Sequence, residues 1–153
     1  MAIWQFTFMI VRRENVESKT KKEIQMNLDG IYSWKGFLMN NESLEKLGIT
    51  LEKEGSWSKN RKQYGKLDET CIELLYENND LLEISCRLDV RSLTKAIIVN
   101  ILEFIKENNS LILVDNNIYE PTLENINKLL KASSAVKFYE NPEQFLSNLS
   151  KKI

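Results

Sequence analysis

The chain contains no histidine, and this absence excludes several classes of chemistry. No Ser-His or Cys-His nucleophilic system can form, and no imidazole base can titrate near neutral pH. The only cysteines, Cys71 and Cys86, cannot complete a tetrahedral zinc site by themselves. Carboxylate and lysine chemistry stay possible, but the sequence has no glycine-rich phosphate loop and no calcium-loop motif. We therefore predict a protein that is not an enzyme and that uses no metal or cofactor.

Long apolar runs are also missing. No stretch approaches the roughly 20 apolar residues that a membrane-spanning helix needs. The N-terminal sequence MAIWQFTFMIVRR carries its charges after the apolar run and lacks a small-residue cleavage site, which is not typical of a secretory signal. We expect a cytoplasmic protein with no membrane partner.

An excess of one charge is absent as well, because the chain contains 21 Lys and Arg and 22 Asp and Glu. This balance argues against a protein whose whole surface binds polyanions. With 42% hydrophobic residues, five glycines and two prolines, the composition is that of a globular chain. A length of 153 residues predicts one domain, residues 1–153, which would bury roughly 70% of its extended-chain surface.

Aromatic and β-branched residues alternate along residues 3–12, and this pattern predicts the first strand. The side chains of Trp4, Phe6, Phe8 and Ile10 share one face of that strand. The opposite face is only partly polar, which favours a central position in the sheet or a partner on the second side of the strand.

Two further alternating segments, 71–77 and 81–88, predict a β-hairpin with a three-residue loop at 78–80. A two-residue loop would set charged residues against apolar ones, whereas the three-residue loop keeps each kind on one face. The predicted pairs are Ile72 with Cys86, Glu73 with Ser85, Leu74 with Ile84 and Tyr76 with Leu82. This register places Cys71 and Cys86 on opposite faces, so we expect two free thiols, as in a reducing compartment.

The remaining segments complete the fold prediction. Residues 13–23 are charged and aperiodic and predict an exposed connection. The other predictions are a short strand within 29–38, a helical turn at 43–48 ended by Gly48, a helix at 92–107 capped by Asp89 or Ser92, a strand at 110–115, a helix opened by Pro121, a short strand at 135–139 and a helix at 141–149. This order predicts an α+β fold: a mainly antiparallel sheet with helices packed on one face, a ferredoxin-like core and a C-terminal helical extension.

The first candidate site is the segment 87–91, where the hairpin leads into the long helix. Arg87 and Arg91 alternate with Asp89, and arginine forks beside a helix N-terminus suit carboxylate or phosphate recognition. The alternative interpretation, which we favour, is that Asp89 caps the helix and pairs with one of the arginines.

The second candidate site is the basic and aromatic segment 55–66, which contains no acid. Its candidate nucleic-acid-binding residues are Trp57, Lys59, Arg61, Lys62 and Tyr64, with Lys66 beside them. Stacking rings between phosphate partners are typical of single-stranded RNA surfaces. The alternative is a solvated loop whose Trp57 packs back onto the domain, and RNA binders of this fold place their aromatics on strands.

The third candidate site is the outward face of the hairpin, which carries Glu73, Glu77, Asp80 and Glu83. An acidic face can receive a basic protein and steer its approach. The alternative is a solvated strand surface whose charge blocks edge pairing. Leu75 and Leu81 on the same face are either incidental, which we favour, or the centre of a small interface.

Several short motifs in the second half support a resemblance to known proteins. They are Trp57 and Gly65 before the hairpin, the segment 87–91 before the long helix, Glu120-Pro121, residues 133–135 with Phe138, and Asn141-Pro142 with Phe145-Leu146. This series, spanning residues 55–149, resembles small bacterial α+β proteins of the kind encoded beside polymorphic or contact-dependent toxins as immunity proteins. The resemblance implies a cytoplasmic protein that binds one cognate toxin domain tightly and has no catalytic residues.

These observations together predict a non-enzymatic protein-binding module of the immunity type, which binds and occludes a cognate toxin. If that toxin is basic, the acidic hairpin face is the expected contact surface. The alternative function is a nucleic-acid-binding module that uses the 55–66 loop. Added salt separates the two, because phosphate-driven binding weakens steeply with salt and a packed protein interface does not.

Overall fold

The computed structural model describes residues 4–55 and 58–137, and seven strands in these residues form one antiparallel sheet. The strands are β1 (Gln5–Arg12), β2 (Lys53–Glu54), β3 (Arg61–Tyr64), β4 (Cys71–Glu77), β5 (Asp80–Asp89), β6 (Ser110–Val114) and β7 (Asn117–Tyr119). Their order across the sheet is β2-β3-β4-β5-β1-β6-β7. Strand β1 therefore lies inside the sheet, as its two-sided apolar pattern predicts.

The described residues also form seven helices. They are α1 (Arg13–Val16), α2 (Lys21–Met26), α3 (Leu28–Tyr32), α4 (Asn41–Thr50), α5 (Lys95–Glu107), α6 (Leu123–Ala132) and α7 (Ser134–Lys137). The predicted α+β class with an antiparallel sheet is confirmed, and the ferredoxin-like core stays a prediction. None of the helices in the described ranges has the length and apolar character to cross a membrane.

One face of the sheet, the core face, carries the main hydrophobic core. Phe8, Ile10, Ile84 and Cys86 project from neighbouring strands onto this face and are buried. Helices α4, α5 and α6 pack over them. Helix α5 contributes the broadest apolar stripe, whose buried members are Ile98, Ile101, Leu102, Phe104 and Ile105.

The opposite face of the sheet, the second face, is covered over β1 and β6 by the short helices α1, α2 and α3. Val16, Ile24 and Ile31 pack there against Val11 and Leu111 in a separate cluster. The segment 13–23 is mostly exposed, as predicted, but it contains α1 and the start of α2 rather than an irregular connection. The predicted strand within 29–38 is wrong, because α3 occupies Leu28–Tyr32. Each short helix contributes one buried side chain, and elements of four to six residues are too short to show a periodicity.

Residues 33–40 pass around one end of the sheet and connect these two layers. Trp34 is fully buried there, and its indole Nε1 donates a hydrogen bond to the Ile10 carbonyl at 2.9 Å. The Trp34 backbone N–H donates to the Leu82 carbonyl at 3.0 Å. The ring of Phe37 packs edge-on against Trp34, with centroids 5.0 Å apart.

The predicted hairpin is confirmed, but its loop has two residues rather than three. Residues 72–74 pair with 84–86 as predicted. Asn78 and Asn79 form the loop with φ values of 51° and 69°. Two successive residues at positive φ are the signature of a type I′ turn, which suits the twist of a two-residue hairpin.

A β-bulge reconciles this shorter loop with the predicted register. Leu82 is the extra residue, so that Tyr76 pairs with Leu81 and Leu75 pairs with Glu83. Leu81 consequently joins the core and Leu82 is half-buried. The prediction that Leu81 lies among the acids of the outward face is therefore wrong.

The caps of the two helices that follow the hairpin differ from those predicted. Thr94, rather than Asp89 or Ser92, caps α5 by accepting a hydrogen bond from a backbone N–H in the first turn. Thr122 caps α6 in the same way, and Pro121 precedes the cap. In both helices the capping threonine lies three residues before the residue whose backbone N–H donates to its hydroxyl oxygen.

Three further predictions concern the ends of elements. Helix α4 continues through Gly48 to Thr50. The predicted strand at 135–139 is wrong, because Ser134–Lys137 forms α7 and Val136 is buried against the core. The predicted helix at 141–149 lies outside the described residues.

Candidate functional site

The second face of the sheet holds an ion triad made of residues from all three predicted sites. Glu73 lies between two arginines: Arg61 Nη1 is 2.5 Å from Glu73 Oε2, and Arg87 Nη2 is 3.1 Å from Glu73 Oε1. The Glu73 side chain is 4% exposed, and those of Arg61 and Arg87 are 31% and 27% exposed. We call Arg61, Glu73 and Arg87 the ion triad.

Strand register explains why these three side chains meet. Glu73 on β4 is opposite Gln63 on β3 and Ser85 on β5. Arg61 and Arg87 lie two residues from those partners, and residues two apart share a face of the sheet. Long side chains reach such diagonal neighbours. The triad therefore needs three adjacent strands, which no local sequence pattern reveals.

The loop between β3 and β4 folds across the second face beside the triad. It begins at Gly65, which has a φ of +85° and where an added Cβ would lie 2.1 Å from the Thr70 carbonyl oxygen, so that only glycine fits. Gln5 on β1 donates hydrogen bonds from Nε2 to the carbonyls of Leu67 and Glu69 at 2.9 and 2.7 Å. These bonds hold the loop against the sheet.

The predicted anion-binding arginines are both bound within the protein. Arg91 donates from Nε and Nη2 to the two carboxylate oxygens of Asp89, each at 3.0 Å, and its guanidinium lies 3.9 Å from the Trp4 ring centroid. Arg87, besides its contact in the triad, donates to the Leu67 carbonyl at 3.3 Å. The structure contains the favoured pair between Asp89 and an arginine, Arg91. Asp89 does not cap the helix, because Thr94 does.

The predicted nucleic-acid-binding loop is partly a strand, because Arg61–Tyr64 forms β3. Alternation along β3 sends Arg61 to the second face and sends Lys62 and Tyr64 to the core face. Tyr64 is 6% exposed and belongs to the hydrophobic core. The ring of Tyr64 is therefore not available for stacking on a base.

The other members of that predicted set are distributed rather than gathered. The Lys62 ammonium lies 5.0 Å from the ring centroid of Tyr76 on the neighbouring strand, and Lys59 and Lys66 are exposed. Trp57 lies outside the described residues. Within the described residues, the structure does not assemble this set into one surface.

The predicted acidic face loses Glu73 to the ion triad and keeps its other three members. Glu77 and Asp80 face each other next to the hairpin loop and are exposed, and Glu83 is half-buried. All three lie at the end of the sheet where residues 33–40 pass. The outward face therefore divides into an ion triad around the buried Glu73 and a more exposed acidic end.

A fourth carboxylate joins this acidic end from α3. Tyr32 is half-buried, and its pKa is raised, chiefly by burial and then by the charges of Glu83 and Asp29. The charges of α3 and the hairpin are thus close enough to act on the same phenol. Asp29, Glu77, Asp80 and Glu83 form what we call the acidic patch, and sequence patterns did not point to Asp29 because a short strand was predicted within residues 29–38.

Both cysteines are free and buried. Burial raises the pKa of Cys71 to about 11, with a further increase from Glu73 and a decrease from Arg87. Burial also raises the pKa of Cys86. Neither thiol is a nucleophile near neutral pH, because the thiolate is the reactive form.

We expect both thiols to resist iodoacetamide at pH 8 in the native state and to react once urea unfolds the chain. Because the thiol pKa is raised in the folded protein, the cysteines of the unfolded chain lose their protons at a lower pH than those of the folded protein. The free energy of unfolding should therefore fall as pH rises from about 9 toward 11. Urea titrations across this range would measure the fall, and it should be smaller in Cys71→Ala. Rapid labelling of the native protein would contradict the buried placement.

Another opening lies elsewhere, between α4 and the strands β2 and β3 near one edge of the sheet. It is an open cleft of about 760 Å³, and Lys62 and Tyr64 are the predicted site residues that line it within the described part of the chain. We call it the α4 cleft. Sequence patterns did not predict this cleft, because its size depends on the distance between α4 and the sheet.

Known site types and known proteins give no further assignment. Across residues 4–55 and 58–137, no group of three or more Cys, Asp or Glu side chains is placed to hold a metal ion. Comparisons of the chain with protein-family models, with curated proteins and with solved structures found no match.

Proposed function

We propose that this protein is a non-enzymatic binding module whose acidic patch docks against a protein partner. The partner we propose is a cognate toxin domain that the protein occludes, as in the immunity-type proteins that the chain resembles. The observation that carries the proposal is the acidic patch together with its apolar neighbours.

Half-buried apolar side chains lie among the acids of this patch. Leu75 pairs directly with Glu83, Leu82 is the bulge residue beside it, and Tyr32 lies within reach of the same carboxylate charge. Protein interfaces combine a partly apolar centre, in which tyrosine is enriched, with a polar rim. The composition of the patch supports a basic protein partner.

The charge of this patch favours a protein over a nucleic acid. Three acids of the hairpin, Glu77, Asp80 and Glu83, belong to the patch, and residues 72–86 contain no lysine or arginine. Phosphates repel such a surface, whereas basic side chains of a protein are attracted to it and approach faster. The absence of histidine supports a binding role over an enzymatic one.

The partner can be identified by affinity capture from a lysate of the source organism, with and without added nuclease. We expect one near-stoichiometric protein that survives nuclease and moderate salt. If that protein is a toxin domain, co-expression with this chain should restore growth of cells that express the toxin. Elution of RNA or DNA that disappears with nuclease would instead favour the nucleic-acid function.

Charge reversal tests the surface itself. The triple variant Glu77→Lys, Asp80→Lys, Glu83→Lys should bind the captured partner at least about tenfold more weakly at low salt, mainly through a slower association rate. Surface plasmon resonance at several salt concentrations would measure both rates.

The matched control reverses three exposed acids elsewhere, with the variant Glu17→Lys, Glu69→Lys, Glu103→Lys. Each triple changes the formal charge by +6, from −1 to +5, so the two variants differ only in where the charges lie. Equal losses of affinity in both variants would contradict the acidic patch as the contact surface.

A further inference from the structure

The loop between β3 and β4 lies over part of the second face of the sheet, and we call its residues 66–69 the strap. Lys66, Asp68 and Glu69 are exposed, and Leu67 is half-buried. Leu67 is the one apolar residue of the strap, and it belongs to neither hydrophobic cluster of the described residues. Apolar burial, the dominant favourable contribution to folding, therefore does little to hold the strap against the sheet.

Hydrogen bonds from side chains to the backbone hold the strap instead. The three consecutive carbonyl oxygens of residues 67–69 accept all of these bonds. The donors are Gln5 Nε2 at 2.9 and 2.7 Å, Trp4 Nε1 at 3.2 Å, Arg87 Nη1 at 3.3 Å and Arg91 Nη2 at 3.4 Å. Water can replace each of these bonds when the strap moves away, so the net free energy that each one contributes is modest.

Both ends of the strap are fixed to neighbouring segments. The Gly65 backbone N–H donates to the Glu52 carbonyl at 2.8 Å, and the Thr70 hydroxyl oxygen accepts from the Asp89 backbone N–H at 2.8 Å. Gly65 and Thr70 are also buried. The strap is thus a short exposed segment between two anchored residues, and its movement does not require the strands to separate.

The thiol of Cys71 lies next to the strap. Cys71 is fully buried and shares the second face with Glu73, two residues along β4. Burial raises the pKa of this thiol, and the charge of the strap residue Asp68 adds to the increase. Helices α1, α2 and α3 lie over β1 and β6, so the strap, rather than those helices, is the cover beside Cys71.

The second thiol provides an internal comparison. Cys86 pairs with Ile72 on the neighbouring strand and faces the main hydrophobic core. The hairpin therefore carries one thiol beside the strap and one thiol beneath the helices of the core face. An event that moves only the strap exposes the first thiol, whereas unfolding of the domain exposes both.

We propose that the strap opens and closes while the sheet and the core remain folded, so that it is a movable cover over Cys71 and the neighbouring part of the ion triad. Segments with few buried apolar contacts open at a lower cost in free energy than unfolding of the whole domain. The Glu69 N–H donates to the Lys66 carbonyl at 2.9 Å, and this bond within the strap allows it to move as a unit. The proposal is independent of the acidic patch, which lies at the other end of the hairpin.

Slow labelling of the native full-length protein tests this proposal. Iodoacetamide at pH 8 is applied over hours at several urea concentrations below the unfolding transition, and peptide mass spectrometry assigns the label to Cys71 or Cys86. Both reactions should be slow, but Cys71 should react at least about tenfold faster, because local opening costs less free energy than global unfolding. The Cys71 rate should change little with urea, whereas the Cys86 rate should rise steeply, because urea favours states in proportion to the surface they expose.

Two buried glutamines on the second face give matched variants. Gln5→Met removes two bonds that close the strap, and these bonds are absent in both the open and the unfolded state, so the rates of Cys71 and Cys86 should both rise. Gln63→Met removes a bond to the Gly65 carbonyl, outside the strap. Opening of the strap leaves that bond in place, so this variant should leave the Cys71 rate unchanged, and any increase should be confined to Cys86.

The contrary results are equally specific. Equal rates for Cys71 and Cys86, with the same dependence on urea, would overturn the proposal, because both thiols would then become accessible only through global unfolding. A Cys71 rate that Gln5→Met leaves unchanged, or that Gln63→Met raises as much as the Cys86 rate, would overturn it as well. None of these results depends on the partner of the acidic patch.

Discussion

Replacing Trp34 by alanine is expected to destabilise the protein by about 3–5 kcal/mol. Trp34 is fully buried where residues 33–40 pass from one face of the sheet to the other, so its loss leaves a cavity between two layers. The substitution also removes the hydrogen bond from the indole to the Ile10 carbonyl. Urea unfolding followed by circular dichroism would measure the change, and the melting temperature should fall by roughly 6–20 °C.

The conservative substitution Trp34→Phe separates the two contributions. It keeps most of the ring volume and removes the N–H, so it should cost about 1 kcal/mol from the lost hydrogen bond, plus a smaller amount from the reduced volume. A result for Trp34→Ala below about 0.5 kcal/mol, within the range of ordinary surface substitutions, would contradict the buried placement. The ratio of the two losses shows how much of the stability at this end comes from packing.

Removing both arginines of the ion triad is expected to give the other large effect. In the double variant Arg61→Met, Arg87→Met, the Glu73 carboxylate keeps its buried position and loses both cationic contacts that the triad supplies. Breaking a buried ion pair by removing one sign of charge costs about 3–5 kcal/mol. Urea unfolding at neutral pH would measure the loss, and Arg87→Met alone should cost less because Arg61 remains.

A third substitution distinguishes an unpaired charge from lost packing. Adding Glu73→Leu to the double variant replaces the whole triad by apolar side chains, and such replacements are often neutral or stabilising. We therefore expect the triple variant to recover most of the lost stability. If the triple variant is no more stable than the double variant, the arginines act through their packing rather than through the Glu73 charge.

The hairpin shows how far sequence patterns reach. Alternation in two neighbouring segments predicted both strands and the pairing of residues 72–74 with 84–86, because strand pairing must keep apolar side chains on one face. The pattern did not predict the bulge at Leu82. A two-residue loop with a bulge and a three-residue loop without one give the same pairing of residues 72–74 with 84–86. The two arrangements differ only in the residues next to the loop.

The helices divide in a similar way. The long helix α5 is predicted within three residues at its start, because 13 residues give several turns of periodicity. The short helices α1, α2 and α3 have four to six residues and one buried side chain each. Their helical state depends on local caps, such as the reciprocal bonds between Thr20 and Glu23, and on the cluster that they cover.

By itself the sequence determined the α+β class, the interior position of β1 and the separation of Cys71 from Cys86, since each follows from side-chain periodicity along one or two neighbouring segments. It also excluded histidine-dependent chemistry, which needs no structure. Only the tertiary structure decided that Glu73 lies between Arg61 and Arg87, that the charges of Asp29 and Glu83 act on the same tyrosine, and that a cleft lies between α4 and the strands β2 and β3. These features join residues from distant segments, and their positions depend on strand order and layer packing, for which a linear pattern carries no signal.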